Sequence, residues 1–271
     1  MAKIEPVVGV LEKDQALKLT DLSIQFGGLK AVEALSFHVN NKEIFGLIGP
    51  NGAGKTTLFN LLTGVYEPTT GKVILNTNGK EREIQGKKPY NICGEGVART
   101  FQNIRLFKEL TVLDNVRIAM HQRVGYNMVD AFFHTPKYVK EEQRMIKEAE
   151  ELLDIFHLSD KKFEKAKNLP YGEQRHLEIV RAMATKPDLL LLDEPAAGMN
   201  PNETAALTDT IAQLRRDFGL TILLIEHDMS LVMKICERIY VLNYGQMLAK
   251  GTPDEIRNNK QVIEAYLGEE R

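Results

Sequence analysis

The stretch GPNGAGKTT, from Gly49 to Thr57, constrains the fold of this 271-residue chain more than any other feature. It fits the pattern G-x-x-x-x-G-K-[ST], and it lies between the apolar segment EIFGLIG and a helix predicted from Lys55 to Gly64, the context that the pattern requires. Glycines let the backbone curl so that successive N–H groups point at phosphate oxygens, and the helix that begins here adds the positive end of its dipole. The sequence therefore predicts a phosphate-binding loop rather than an ordinary turn.

Each residue of this loop is a candidate for nucleotide binding. The candidates are Gly49, Pro50, Asn51, Gly52, Ala53, Gly54, Lys55, Thr56 and Thr57. Lys55 is placed to neutralise charge on the β- and γ-phosphates, and the Thr56 hydroxyl is a candidate Mg²⁺ ligand.

A second chemical element follows a buried apolar run in LLLLDEP, where Asp193 and Glu194 end the run. Asp193 is placed to hold the hydration shell of Mg²⁺, and Glu194 to orient or deprotonate an attacking water. Acidic residues at the end of a strand are common by themselves. Together with the phosphate loop, however, they predict a nucleoside triphosphatase.

Strand and helix patterns alternate along the chain. DLLLLDE and TILLIEH are typical of buried strands, and the helical segment NETAALTDTIAQLRRDF lies between them, so this βαβ arrangement predicts a parallel sheet in an α/β fold. Further strands are predicted at 16–26, 35–40 and 71–76, and IYVLNYGQMLAKG predicts a closing hairpin. The first fourteen residues are expected to form a loose lead-in.

The stretch from about Asn103 to Ala182 has the pattern of helices. One long, charged helix within it is expected to bury a single face. The residues predicted on that face are Ile146, Ala149, Leu153 and Phe156.

Composition limits the classes of function. Hydrophobic residues make up 43% and charged residues 27% of the chain, and the formal net charge is −2, so no bulk attraction to nucleic acid is expected. The two cysteines, Cys93 and Cys236, are interpreted as reduced thiols. The longest apolar runs are far too short to cross a bilayer, so a role at a membrane would require a membrane partner.

This set of motifs resembles the ATP-binding subunits of ABC transporters, over about Leu17 to Gly268. The resemblance implies a P-loop NTPase (RecA-like) α/β core with an antiparallel β subdomain and an inserted α-helical subdomain. The corresponding boundaries are a nucleotide-binding domain at 15–255, an inserted helical subdomain at about 103–182, and a C-terminal helical tail at 256–271. ATP and Mg²⁺ are the implied cofactors.

The resemblance also implies roles for residues outside the phosphate loop. Phe26 lies where the family stacks an aromatic ring on adenine, although a phenylalanine buried in a strand is the alternative. Gln102, in RTFQNIRLF, matches the glutamine that senses Mg²⁺ and the γ-phosphate. His227, in IEHD, matches the switch histidine, so the implied catalytic set is Glu194, His227 and Gln102. The implied metal set is Thr56, Gln102 and Asp193.

LPYGEQ lies where the family carries its Leu-Ser-Gly-Gly-Gln signature, with Pro170 in place of serine and Tyr171 in place of the first glycine. By resemblance, Tyr171, Gly172 and Glu173 bind ATP that is held by the loop of a second subunit, identical or related. Recognition then shifts from the lost serine hydroxyl to backbone N–H groups and the helix dipole. EPAAGMN resembles the family's loop that crosses the dimer interface. The family usually has aspartate where Asn200 stands, so a neutral hydrogen bond across the interface could replace a salt-type contact.

The subtype signal is carried by IRLFKELTVLDNV, EPAAGMNP, LLIEHDMSLVM and GTPDEIRNN followed by VIEAYLGE. These segments resemble one of the two cassettes of bacterial high-affinity branched-chain amino acid importers, and related cassettes for urea or for lipopolysaccharide export share much of the pattern. The implied partners are transmembrane permease subunits, a second ATP-binding subunit and, indirectly, a solute-binding protein, with no nucleic acid. The implied location is peripheral, on the cytoplasmic face of the inner membrane.

Alternatives of other classes are less consistent with these residues. A soluble ABC protein that acts on ribosomes or DNA usually has two cassettes or a long coiled-coil insertion, and a P-loop kinase would leave Gln102, LPYGEQ and His227 as coincidences. The aromatic residues Phe132, Phe133 and Tyr138 have two interpretations. They form either a small local core or part of a groove for a cytoplasmic helix of the permease.

Overall fold

The computed structural model describes residues 14–77 and 79–267. The predicted lead-in therefore lies outside the described residues except for Asp14. Within the described part of the chain, two β-sheets are surrounded by helices, as the alternating sequence pattern predicts. No helix in this part is both long and apolar enough to cross a bilayer.

The central sheet has the strand order β10-β9-β3-β8-β7-β6. Its strands are β3 (Ile44–Ile48), β6 (Val97–Arg99), β7 (Leu189–Asp193), β8 (Thr221–Ile225), β9 (Arg238–Asn243) and β10 (Gln246–Gly251). Neighbours from β9 to β6 are parallel, and β10 forms the antiparallel hairpin with β9 that the sequence predicts. Strands β3, β7 and β8 are buried along their whole length, which explains their continuous apolar sequences.

The second sheet is antiparallel, with the order β2-β1-β4-β5. Its strands are β1 (Gln15–Phe26), β2 (Leu29–Asn40), β4 (Thr70–Thr77) and β5 (Lys80–Glu83). Its buried face includes Leu17, Leu19 and Leu22, in one apolar cluster with Phe45 and Leu47 of the central sheet. The two sheets therefore share a hydrophobic core.

The helices follow the chain from the phosphate loop to the C-terminal region. They are α1 (Lys55–Leu62), α2 (Pro89–Gly94), α3 (Val112–Ala119), α4 (Met128–Phe132), α5 (Pro136–Ile155), α6 (Tyr171–Ala184), α7 (Pro201–Phe218), α8 (Met229–Ile235), α9 (Pro253–Arg257) and α10 (Lys260–Leu267). Helices α3, α5 and α6 contribute to a second apolar cluster, which continues to the opposite side of the central sheet.

The long helix differs from its prediction by one residue. In α5 the buried residues are Met145, Ala149 and Leu153, which are spaced by four, whereas Ile146 is half-buried. Phe156 is buried as predicted but follows the last residue of the helix. The sequence pattern also missed β6, because three residues are too few to show a strand period.

The C-terminal region contains two helices, and the first begins at Pro253, three residues before the predicted start of the tail. Thr252 caps α9, accepting a hydrogen bond from the backbone N–H of Glu255. Ile256 and Val262 are buried in the same cluster as Leu231 of α8, so these helices pack on the core. The part of the predicted C-terminal tail from Gly268 onward lies outside the described residues.

Candidate nucleotide site

The phosphate loop joins the end of β3 to the start of α1 through two glycines that no other residue could replace easily. Gly49 has φ +151°, and a Cβ there would lie 2.1 Å from the carbonyl oxygen of Leu242. Gly54 is the N-cap of α1 with φ +101°, and a Cβ there would lie 2.5 Å from the carbonyl oxygen of Ala31. The loop therefore curls tightly because its glycines permit both the dihedral angles and the close approach of neighbouring backbone.

Lys55 points back into the curl of this loop. Its Nζ donates hydrogen bonds to the carbonyl oxygens of Gly49 at 2.6 Å and Pro50 at 2.8 Å. The side chain is almost fully buried. A positive charge is thus held at the centre of the loop, beside the helix N-terminus, as phosphate binding requires.

A cavity of about 500 Å³ opens beside the loop. Its walls include the loop residues from Asn51 to Thr57, together with Phe26 from the end of β1, Gln102, Glu194 and His227. The structure therefore brings together side chains from five separate segments of the chain. Among the predicted site residues, Gly49, Pro50, Asp193 and the residues of LPYGEQ do not line this cavity.

Glu194 lies at the centre of the polar part of the cavity. Its Oε1 is 2.9 Å from Nε2 of His227, and its Oε2 accepts a hydrogen bond from Nε2 of Gln102 at 2.8 Å. The backbone of Glu194 has φ +48°, in the left-handed region that is unfavourable for a residue with a side chain. The three predicted catalytic residues thus form one contact group around a strained glutamate.

Asp193 is buried, with 2% of its surface exposed, and forms an ion pair with Arg99. Nη2 of Arg99 lies 2.7 Å from Oδ2 of Asp193, and Nη1 donates to Asn60 at 2.8 Å and to Thr63 at 3.2 Å. Arg99 therefore links the acidic strand end to the end of α1. Our sequence interpretation missed this residue, although a lone basic residue three positions before Gln102 was a usable signal.

Phe26 has 45% of its surface exposed, so it is not the buried strand phenylalanine that was the alternative. Its ring packs edge-on against Tyr66, with ring centroids 5.2 Å apart. An exposed aromatic ring at the rim of the cavity is available for stacking on a planar base.

Comparison with known families decides the class. Residues 32–197 match the sequence model of a family described as ABC transporter. The chain belongs to the ABC transporter family. It is an ATP-binding cassette, and its enzymatic class is that of an ATPase. Residues 246–271 match a second model, described as branched-chain amino acid ATP-binding cassette transporter.

Individual relatives are similar to this cassette over nearly its full length. The high-affinity branched-chain amino acid transport ATP-binding protein LivG of Salmonella typhimurium is 49% identical over 93% of this chain and 98% of its own. BraF, the corresponding protein of Pseudomonas aeruginosa, is 47% identical with the same coverage.

Two solved ABC cassettes have the same fold. One, in its ADP conformation, has a TM-score of 0.80 at 30% identity and covers 94% of this chain and 99% of its own. Another, free of nucleotide, has a TM-score of 0.78 at 31% identity, covering 93% and 98%. The predicted fold class, a P-loop NTPase core with an antiparallel β subdomain and a helical subdomain, is confirmed.

The signature segment of the cassette begins α6, and Pro170 is its N-cap residue. The Tyr171 hydroxyl accepts a hydrogen bond from Arg175 at 3.3 Å, whereas Gly172 is buried, with Glu203 close to where its Cβ would lie. Both carboxylate oxygens of Glu173 lie 2.6 Å from Nζ of Lys161, which raises the pKa of that lysine. The charge of Glu173, which replaces a neutral glutamine of the family pattern, is thus paired within the chain.

Helix α6 of the cassette also holds the backbone around Gln102. Arg175 is fully buried and donates to the carbonyl oxygens of Phe101 at 2.6 Å and Gln102 at 2.8 Å. Glu178 pairs with Arg175 at 2.8 Å and accepts from the backbone N–H of Arg105 at 3.2 Å. Burial raises the pKa of Glu178. This buried pair fixes the path of the backbone around Gln102. The sequence did not predict the pair, because charged residues on a helix usually face solvent.

Asn200 is the N-cap of α7 rather than a free polar group. Its side-chain oxygen accepts from the backbone N–H groups of Asn202 and Glu203, each at 3.0 Å, and Glu203 accepts from the Asn200 backbone N–H in return. This capping box stabilises the start of the helix. The side-chain oxygen of Asn200 is thus used within the chain, and the neutral hydrogen bond expected across the dimer interface stays a prediction.

Proposed function

We propose that this cassette is the ATP-hydrolysing subunit of an importer of branched-chain amino acids. The observation that carries the proposal is its similarity, over 93% of the chain, to LivG and BraF, whose names specify branched-chain amino acid transport. The match of residues 246–271 to a branched-chain amino acid cassette model supports the same solute class. The alternative transport roles are transport of urea and export of lipopolysaccharide.

The cavity supports specific roles in ATP binding. Phe26 stacks on adenine, the curled loop from Gly49 to Thr57 surrounds the phosphates with N–H groups, and Lys55 neutralises their charge. Thr56 and Gln102 line the cavity and would hold Mg²⁺, because they offer hydroxyl and amide oxygens that this ion accepts. Asp193 lies outside the cavity lining, buried and paired with Arg99, so its carboxylate would act on the hydration shell of the ion. Bound Mg²⁺ would neutralise phosphate charge. Arg99 would keep the Asp193 carboxylate in one orientation beside it.

Hydrolysis needs a base that is fixed in place. Glu194 is the residue that orients or deprotonates the attacking water, and its carboxylate is already held from both sides by His227 and Gln102. His227 keeps the carboxylate turned towards the cavity. Gln102 connects it to the helical region, because the same backbone segment is bound by Arg175 of α6.

A second copy or a related cassette completes each site. The start of α6 presents backbone N–H groups and a positive dipole end, but Tyr171, Gly172 and Glu173 do not line the cavity that contains Lys55. These residues therefore act on ATP bound to the other subunit. Lys161 supports this role by compensating the charge of Glu173.

Transport requires a permease, and a groove of about 380 Å³ offers a place for it. The groove lies between the end of α1, α2 and the helical region, and Thr63, Ile92, Phe101, Ala119 and Arg181 are among its lining residues. Phe132 and Phe133 are 78% and 70% exposed and lie outside this groove, so these two rings do not form a small local core. Tyr138 differs from them, because it is half-buried and packs against Tyr126 and His134. We place Phe132 and Phe133 at the rim of the permease contact, on the cytoplasmic face of the membrane.

Solute uptake by the organism that carries this gene tests the proposal. Deleting the gene should abolish high-affinity uptake of radiolabelled leucine, isoleucine and valine, and the wild-type gene should restore it while the Glu194→Gln variant should not. Unchanged leucine uptake with loss of urea uptake, or with loss of lipopolysaccharide from the cell surface, would replace the proposed solute with one of the alternatives.

A further inference from the structure

Glu226 is a buried carboxylate, 3% exposed, that immediately follows β8. Its Oε1 accepts a hydrogen bond from the backbone N–H of Ala196 at 2.7 Å. Its Oε2 accepts from the backbone N–H of His227 at 2.9 Å and of Asp228 at 3.3 Å. One side chain thus binds the backbone of two segments that are 30 residues apart in sequence.

These two segments carry Glu194 and His227, whose side chains are 2.9 Å apart. Ala196 follows Glu194 by two positions, and His227 follows Glu226 directly. The contacts therefore form a closed ring: Glu226 binds the backbone on both sides, and the two functional side chains meet on the cavity side. A ring of this kind fixes the separation of the two side chains better than either segment could alone.

The ring also explains how an unfavourable backbone conformation persists. Glu194 has φ +48°, and holding a residue with a side chain in this region costs on the order of 1–3 kcal/mol, so it requires restraint from its surroundings. The hydrogen bond from Ala196 to Glu226 restrains the chain immediately after Glu194.

Burial of Glu226 is itself costly. Desolvation raises the pKa of its carboxyl, although the hydrogen bonds from Ala196, Asp228 and His227 act in the opposite direction. Among the ion pairs of the described residues, none involves Glu226. A buried acid held by backbone amides alone, next to a candidate catalytic pair, is more readily explained by positioning than by stability.

We propose that Glu226 is a positioning residue for ATP hydrolysis, which holds the backbone of the Glu194–Ala196 segment and of His227 so that Glu194 stays aimed at the water. This inference rests on the proposed function, because it assigns Glu226 to the same site. Glu226 is buried and does not line the cavity beside the phosphate loop, so it acts through the two residues that it aligns.

Glu226→Gln tests the proposal with little change in volume. The amide offers one oxygen and one NH₂ group, so one of the two backbone anchors must face a donor instead of an acceptor. We expect kcat for ATP hydrolysis to fall on the order of 10- to 100-fold, because small displacements of catalytic groups cause losses of this size. The KM for ATP and the affinity of the Glu226→Gln cassette for a fluorescent ATP analogue should stay near the wild-type values, because Phe26 and Lys55 are untouched.

Glu43→Gln is the matched control. Glu43, which directly precedes β3, is also a buried glutamate that accepts a backbone hydrogen bond, from Asn40 at 2.7 Å. It pairs with Arg238, the first residue of β9, and does not line the cavity. This variant should lose stability without losing kcat. Glu226→Asp, which keeps the carboxyl group but is too short to reach both backbone segments, provides a second test if Glu226→Gln does not fold, and it should show the same fall in kcat.

Two results would overturn the proposal. One is a folded Glu226 variant that hydrolyses ATP at the wild-type rate. The other is a fall in kcat that the Glu43→Gln variant shares at equal loss of stability, since that would indicate destabilisation alone. Glu194→Gln is measured in parallel: if it also retains full turnover, the proposed function of the site fails, whereas if only Glu226→Gln retains turnover, the positioning inference alone fails.

Discussion

The carboxylate of Glu194 is shared between His227 and Gln102, with Oε1 2.9 Å from the imidazole Nε2 and Oε2 2.8 Å from the amide Nε2. The three residues come from different segments of the chain, so the orientation of the candidate base depends on the positions of two loops. Any movement of the helical region that shifts Gln102 acts directly on Glu194.

His227→Ala should lower kcat on the order of 10- to 100-fold, because Glu194 loses the partner that aims it at the cavity. ATP binding should persist, since the phosphate loop is unchanged. Steady-state ATPase assays and equilibrium binding of a fluorescent ATP analogue measure the two quantities. His121→Ala, at an exposed position after α3, is the control and should have no effect. A His227→Ala cassette with wild-type turnover would contradict the role given to this histidine.

The Gly172→Asp substitution tests whether the signature segment acts on the other subunit. A carboxylate at the start of α6 should repel a triphosphate that approaches from outside, by about 4 kcal/mol per charge pair at 4 Å and an effective dielectric of 20. We expect near-normal ATP affinity in the monomer and loss of ATP-driven dimerisation and hydrolysis. Size-exclusion chromatography with ATP, in the Glu194→Gln background, measures dimerisation.

The structure also indicates the control for this substitution. A Cβ at Gly172 would lie 3.2 Å from Oε1 of Glu203, so an aspartate there would also be repelled within its own chain. Combining it with Glu203→Gln removes that repulsion, and Glu203→Gln alone should dimerise normally. If the combined variant is folded but its monomer no longer binds ATP, the signature belongs to the chain's own site and the proposed arrangement is wrong.

Phe132→Asp and Phe133→Asp test the contact with the permease. Both rings are largely exposed, so their replacement should cost little stability. We expect leucine transport by the assembled transporter to fall while the isolated cassette keeps its basal ATPase activity. Phe218→Asp, at a half-exposed phenylalanine that ends α7, serves as the control. Equal loss of transport and basal ATPase activity would instead indicate that the two rings stabilise the fold.

The stability of the cassette should depend on pH through Glu226. Because burial raises the pKa of this carboxyl above its ordinary value of 4.5, the folded state binds the proton more tightly than the unfolded state. The free energy of unfolding of the wild type, relative to Glu226→Gln, should therefore decrease as the pH rises from about 4.5 to the raised pKa, and then level off. Urea unfolding of both proteins across that range measures the difference. A difference that does not change with pH would show that the Glu226 pKa is not raised.

Local signals were sufficient for much of this site. The phosphate loop was predictable because glycine spacing, a preceding apolar strand and a following helix all lie within one short segment. Asp193 and Glu194 were predictable because a buried strand ends there. The positions of β3, β7 and β8 followed from continuous apolar runs, although each of these strands is two residues shorter than its predicted segment.

Contacts between distant segments were not predictable in the same way. Arg99 binds Asp193 across 94 positions, and Arg175 binds the Phe101 carbonyl across 74. Neither pairing has a local pattern, because burial and partner choice depend on how the strands and α6 are assembled. Glu226 was visible in the sequence as part of IEHD, but its contact with Ala196 required the fold.

Turnover by the Glu194→Gln variant tests the central claim, that this glutamate drives ATP hydrolysis at a site shared by two cassettes. The amide keeps the shape of the side chain and removes the base, so kcat should fall roughly 100-fold or more while ATP binding remains. In the same sample, ATP should hold the variant as a stable closed dimer, seen by size-exclusion chromatography with light scattering. A Glu194→Gln cassette that hydrolyses ATP at the wild-type rate would contradict the account.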